Sequence, residues 1–155
     1  MKKILSLALV ALSLGGLAYA RQDEEKKPPR KPQTEAASKT AKFGTVEAGD
    51  GSVREALKAT DLAGAKAKQG KTGAFTGKIT KVFAPKSNGV VILNFANDFK
   101  TALTAVVEAR NFDKFPYLTD LKGKTVLVSG KFDAFKGAPQ ILLKTPDQLK
   151  IVKQP

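Results

Sequence analysis

Cysteine and histidine are both absent from this 155-residue chain. Without cysteine there is no disulfide, so the fold must hold by its core alone. Without histidine the commonest metal ligand and the commonest general base near neutral pH are gone. The two absences exclude zinc sites and histidine-based catalytic triads, and any metal site would have to be built from oxygen ligands. Carboxylates are scarce too: 14 Asp and Glu stand against 27 Lys and Arg, a formal charge of +13. Asp98, Asp113, Asp120 and Asp133 fall singly in turn-like stretches, whereas nuclease chemistry wants clustered carboxylates or a histidine. These shortages argue against an enzyme, and neither a cofactor nor a metal is expected.

Long apolar runs are absent after the first 20 residues. Lys2 and Lys3 precede the run Ile4 to Leu14, Gly15-Gly16 breaks it, and Ala18-Tyr19-Ala20 offers a small-x-small cleavage site. That is the layout of a secretory signal peptide over residues 1–20. The run is too short to span a bilayer, which takes about 20 apolar residues. No cysteine follows to take a lipid anchor. The expectation is an exported, periplasmic or secreted monomer beginning near Arg21, with no stable membrane insertion after cleavage. Loss of Lys2 and Lys3 leaves it at +11. A basic surface of that size suits polyanions, although charge also simply keeps a chain soluble.

Residues 21–42 are rich in Pro and mixed charge and hold no large aliphatic residue. Such a stretch buries too little apolar surface to offset its ordering entropy, so it reads as a disordered linker. Its KKPPRK core could add weak attraction for phosphate. Residues 43–69 read as a lead-in with one short helix, 53–59, started by a Ser52/Glu55 capping box. From residue 70 to 153 the pattern is β. Strands are expected over 74–84, 90–96, 101–109, 125–132 and 140–144, with a terminal extension at 148–153. In the first, Ile79 and Val82 lie three apart, so the alternation slips; a bulge permitted by Gly77 would explain it. Residues 110–123 do not alternate; Phe112, Phe115 and Leu118 or Leu121 recur at near-helical spacing, with Pro116 an obstacle to a regular helix, which suits a short helix or turn plugging one end of a barrel. Three strands, a short helix and a hairpin is the order of an OB-fold, a mainly β, five-stranded, partly open Greek-key barrel. A β-sandwich is the rival; it would want more strands and no helix after the third.

The strings TGKITKV, VVILNFANDFKTALTAVV and LKGKTVLVSGKFDAFKGAPQILLKTPDQLKIV cover residues 76–82, 90–107 and 121–152. They resemble bacterial OB-fold domains of the anticodon-binding, nucleic-acid-binding type. The resemblance is carried by Gly77, Asn94-Phe95 with Phe99, the spacing of Val126, Val128 and Gly130, and the hairpin residues Lys136, Gly137, Pro139 and Ile141. Gln140 departs from it, since such domains often carry Glu there. Small periplasmic OB proteins linked to stress tolerance share the size and export but fit the pattern less well.

An OB barrel receives ligands on the outer face of its second and third strands, between two loops. Those loops are expected at Pro85–Gly89 and Asp133–Ala138. Phe135 and Lys136 would then offer a ring for a base and an ammonium for a phosphate, with Lys86 on the opposite loop. Lys78, Lys81, Lys100, Arg110 and Lys131 could line the groove, and Asn94 could bond a base edge or fix the following turn. The alternative for Phe135 is to fold over the barrel mouth; Phe95 reads as core and Phe99 as more open. The partner expected first is single-stranded DNA or RNA or another polyanion. The alternative is a binding module for an envelope protein, a small ligand or an anionic envelope polymer; assisting a separate secreted nuclease is a third.

Overall fold

A computed structural model describes residues 29–154. The expected signal segment 1–20 and the first part of the linker, 21–28, lie outside the described residues. The described chain is mainly β, with a few short helices around one curled sheet.

The slip between Ile79 and Val82 marks a sharp break. What reads as one strand over 74–84 is two: β3, Thr72–Lys78, and β4, Lys81–Phe83. Ile79 between them is fully buried. The carbonyl of Asn94 accepts from both the backbone N–H and the hydroxyl of Thr80, at 2.8 and 3.1 Å. Gly77 makes no bulge; it stays in register opposite Val126. A Cβ there would lie 2.7 Å from that of Ala59 and 3.0 Å from the Phe95 ring, so glycine is needed for close packing.

β4 pairs antiparallel with β5, Val90–Asn94, and β5 with β6, Thr104–Glu108. β6 runs parallel to β8, Ala138–Leu143, which forms a hairpin with β7, Thr125–Phe135. β7 in turn pairs antiparallel with β3. The two halves of the broken strand thus pair at opposite ends of this series. Phe75, Leu93, Phe132, Ile141 and Leu143 point into the curl and are essentially unexposed. Each such side chain contributes about 1.5–3 kcal/mol by leaving water. Between β6 and β7, two 3-10 turns, Ala109–Lys114 and Leu118–Leu121, replace the expected helix. Pro116 separates them, and they deliver Phe112, Phe115, Leu118 and Leu121 to the core.

Five strands is too few. Among the described residues there are nine. Besides the split first strand and β9, Leu149–Lys153, two short ones appear: β1, Gly44–Glu47, parallel to β9, and β2, Leu57–Lys58, parallel to β3. Four and two residues are too short to show an alternation. The expected helix over 53–59 shrinks to α2, Gly51–Arg54, after which the chain extends into β2. Asp50, not Ser52, caps it. The Asp50 carboxylate accepts from the Ser52 hydroxyl and backbone N–H at 2.6 and 2.8 Å. Those bonds, the hydroxyl's first, hold the Asp50 carboxyl below its ordinary range.

The linker expected over 21–42 differs from 29 onward. Residues Gln33–Ala36 form one helical turn, α1, against the two 3-10 turns. A polar side chain holds it. Gln33, 4% exposed, donates to the Pro116 carbonyl at 2.8 Å and accepts from the Leu118 N–H at 3.1 Å. Composition hides such docking because an amide, not an apolar residue, makes it. Gln33→Ala leaves the buried Leu118 N–H and the part-buried Pro116 carbonyl unpaired, a cost of about 1–3 kcal/mol. The expected result is a lower urea midpoint and faster tryptic cleavage at Lys39 and Lys42. Unchanged cleavage and midpoint would show that the segment docks without the amide.

Candidate functional site

Side chains alternate across each strand, so the outward residues of β4, β5, β6 and β8 share one face. The pairings align them in rows. Lys81 stands opposite Asn94, Asn94 opposite Thr104, and Thr104 opposite Gln140. One step along, Phe83 faces Ile92, Ile92 faces Val106, and Val106 faces Leu142. A polar row and an apolar row thus lie side by side, about 7 Å apart along the strands.

The floor becomes a groove because segments rise around it. The 3-10 turn Phe99–Thr101 stands between β5 and β6. Its first turn is fixed by Asp98, whose carboxylate accepts from the Lys100 N–H at 2.9 Å. The β7–β8 hairpin stands on another side. Its loop, expected over 133–138, is only Lys136-Gly137, both with positive φ, 50° and 81°. Paired positive φ values match the right-handed twist of the flanking strands and so keep β7 regular to its last residue. Leu62 and Lys66 come from a third element, α3, Leu62–Ala67. The groove has a volume of about 820 Å³.

Three phenylalanines border this groove, and a lysine lies over each ring. Lys81 Nζ is 5.5 Å from the Phe83 centroid, Lys100 Nζ 6.0 Å from Phe99, and Lys136 Nζ 5.4 Å from Phe135. The rings are 43%, 55% and 60% exposed. Leaving that much ring in water costs free energy that burial would recover, and each ring has an ammonium at its face. With Lys66, the lining holds four cations and no carboxylate. Two carboxylates stand beside the lining: Asp133, opposite Gln140, accepts from the Ala134 N–H, and Asp98, between Asn97 and Phe99, is engaged by the Lys100 N–H. The groove offers flat apolar faces, ammonium groups, and amide and hydroxyl groups from Asn94, Asn97, Thr104 and Gln140.

Of the residues expected at a site, Lys81, Asn94, Phe99, Lys100, Phe135 and Lys136 line this groove. Phe135 does not fold back over the barrel mouth; Phe95 does enter the core, edge-on to Phe75 at 4.9 Å. Lys78 and Lys131 sit toward opposite ends of the β3–β7 ladder, opposite Thr125 and Thr72. Lys86 is exposed on the turn before β5, outside the groove lining. Arg110 is ion-paired with Glu108 and lines a separate cleft. Phe83, Lys66, Thr104 and Gln140 also line the groove and are not among the residues expected there. For Phe83 the signal was present: once the chain breaks after Ile79, Lys81 and Phe83 alternate outward about a half-buried Val82.

No protein-family model matches the chain, and no curated protein matches it significantly. The resemblance to OB-fold domains therefore rests on the residues quoted for it.

Proposed function

We propose that the chain is a non-catalytic OB-fold protein that binds single-stranded nucleic acid in the three-phenylalanine groove. The OB-fold reading draws on the pairing series β4–β5–β6–β8–β7–β3, in which one bent strand starts and ends the series. The binding reading is carried by one observation: three exposed rings, each with its own ammonium, converge on a groove without a carboxylate in its lining. A base can stack on each ring, worth about 1–3 kcal/mol per base and tolerant of sequence. The lysines meet the phosphates between them, and the amide row beneath supplies base-edge contacts. Export as a soluble monomer belongs to the same proposal. Among the described residues no helix is long and apolar enough to cross a membrane.

A second reading takes an envelope protein or anionic envelope polymer as the occupant, favoured by the apolar row Phe83–Ile92–Val106 on the floor. Pull-down from envelope extract, with nuclease added, separates the two: partners that survive nuclease favour the second. The direct test is anisotropy of labelled oligothymidylate across a salt series. Four groove lysines predict a slope of log K against log salt near −3, at about −0.7 per phosphate neutralised on a single strand. No binding at low salt, or binding indifferent to salt, sinks the nucleic-acid reading.

A further inference from the structure

We infer that the nucleic-acid path continues beyond the groove into a second, phosphate-binding subsite made by Arg30, Lys31 and Arg110. The inference rests on the nucleic-acid reading of the groove. The outward face does not end at the Phe83–Ile92–Val106 row. Its next row is Val90 opposite Glu108, about 7 Å further along β5. There the Ala109 N–H donates to the Gly89 carbonyl at 2.9 Å, and a second cleft of about 590 Å³ opens. Arg30, Lys31, Glu108 and Arg110 all line it.

The N-terminal segment is held at this cleft rather than merely passing it. Asn88 Nδ2 donates to the Arg30 carbonyl at 2.9 Å. A Cβ on Gly89 would lie only 3.0 Å from Arg30 Nη1, so the guanidinium rests over that glycine. Three residues on, Gln33 locks the segment to the body. Two guanidiniums and an ammonium thus share a cleft with one carboxylate, Glu108, which already engages Arg110. Guanidinium groups bind phosphate through two parallel N–H donors. An incoming phosphate competes with Glu108 for Arg110, while Arg30 and Lys31 attract it without a carboxylate partner among the described residues.

The test compares oligothymidylates of about 4 and about 14 nucleotides, near the two ends of the site sizes single OB-folds show. The short probe fills the groove alone. On the full chain, Arg30→Ala with Lys31→Ala should leave short-probe affinity within about twofold, weaken the long probe about fivefold or more, and flatten its salt slope by about 1.4. Glu108→Gln should tighten the long probe about threefold and leave the short one unchanged, since it frees Arg110 and removes a charge from the path. Equal losses on both probes, or no loss on the long one, overturn the subsite. If the unmodified protein binds neither probe, the groove reading falls and takes the subsite with it. If it binds both while all variants behave alike, only the subsite falls. Glu108→Gln reports independently should the double variant fold poorly.

Discussion

Replacing Phe83, Phe99 or Phe135 by alanine is expected to weaken oligothymidylate binding by about 5- to 150-fold each, the 1–3 kcal/mol a stacked base is worth. Two rings removed together should bring the affinity close to the electrostatic background. The fold should survive, because these rings are 43%, 55% and 60% exposed and none belongs to the core cluster. Far-UV circular dichroism and the urea midpoint should therefore stay put while binding falls. Tyr117 provides the control: it is 40% exposed but lines no part of the groove, so Tyr117→Ala should leave affinity unchanged. Lys136→Gln probes the other half of the pair. It keeps the Phe135 ring but removes one cation, so it should flatten the salt slope by about 0.7 and cost less affinity than Phe135→Ala. If two of the three phenylalanine variants bind as the parent does, stacking is not what the rings are for. An unchanged slope in Lys136→Gln would place the phosphates elsewhere.

Phe83 reaches the other two rings because of the bend at Ile79–Thr80. The β3–β7 ladder ends at the Lys78–Thr125 pair, where β7 begins, and the break that follows lets β4 pair with β5 instead. With it, Lys81 and Phe83 join the rows of β5 and β6. The slip in apolar spacing that breaks the strand is therefore the same feature that assembles the groove. That slip is legible in the sequence, and the outward direction of Phe83 follows from it only once the break is placed after Ile79, because the direction of a side chain depends on where the period restarts. The hairpin is legible too, from Lys136-Gly137 between two alternating runs, but its loop is shorter than the 133–138 that composition suggests, because Lys136 adopts a positive φ that composition alone does not advertise. Strands β1 and β2 were invisible because their pairing is parallel, distant in sequence and only two to four residues long. The docked segment around Gln33 has the composition of a linker because its anchor is one buried amide among charged and proline residues. Asp50 took the cap expected of Ser52 because it stands one residue before the helix with extended backbone, where its carboxylate reaches the Ser52 N–H.

Gly130→Ala should be among the most damaging single-methyl changes in this protein. Gly130 has φ of 156°, outside what an L side chain readily adopts. The added Cβ would lie 2.7 Å from Ile141 Cγ2 and 2.9 Å from Gln148 Nε2. Neither neighbour can give way cheaply. Ile141 is fully buried in the core. Gln148 is pinned on both ends: its Nε2 donates to the Ser129 carbonyl, and its Oε1 accepts from the N–H groups of Lys144 and Thr145. Overpacking costs about 1–3 kcal/mol and the strained backbone about 1–3 more, against a total stability of roughly 5–15 for a domain. The urea midpoint should fall steeply at unchanged m-value. Gly137→Ala separates the two causes. Its φ is 81°, but nothing lies within 4 Å of the added methyl, so only the backbone term of about 1–2 kcal/mol applies. If Gly130→Ala loses no more than Gly137→Ala, crowding against Ile141 and Gln148 is not felt. The position matters because Gly130 is where β7 passes from its β3 and β9 partners to β8. Five residues further on, that strand carries Phe135 to the rim of the groove. A kink at Gly130 should therefore shift the hairpin, and the surviving folded fraction of Gly130→Ala should bind oligothymidylate more weakly than Gly137→Ala does.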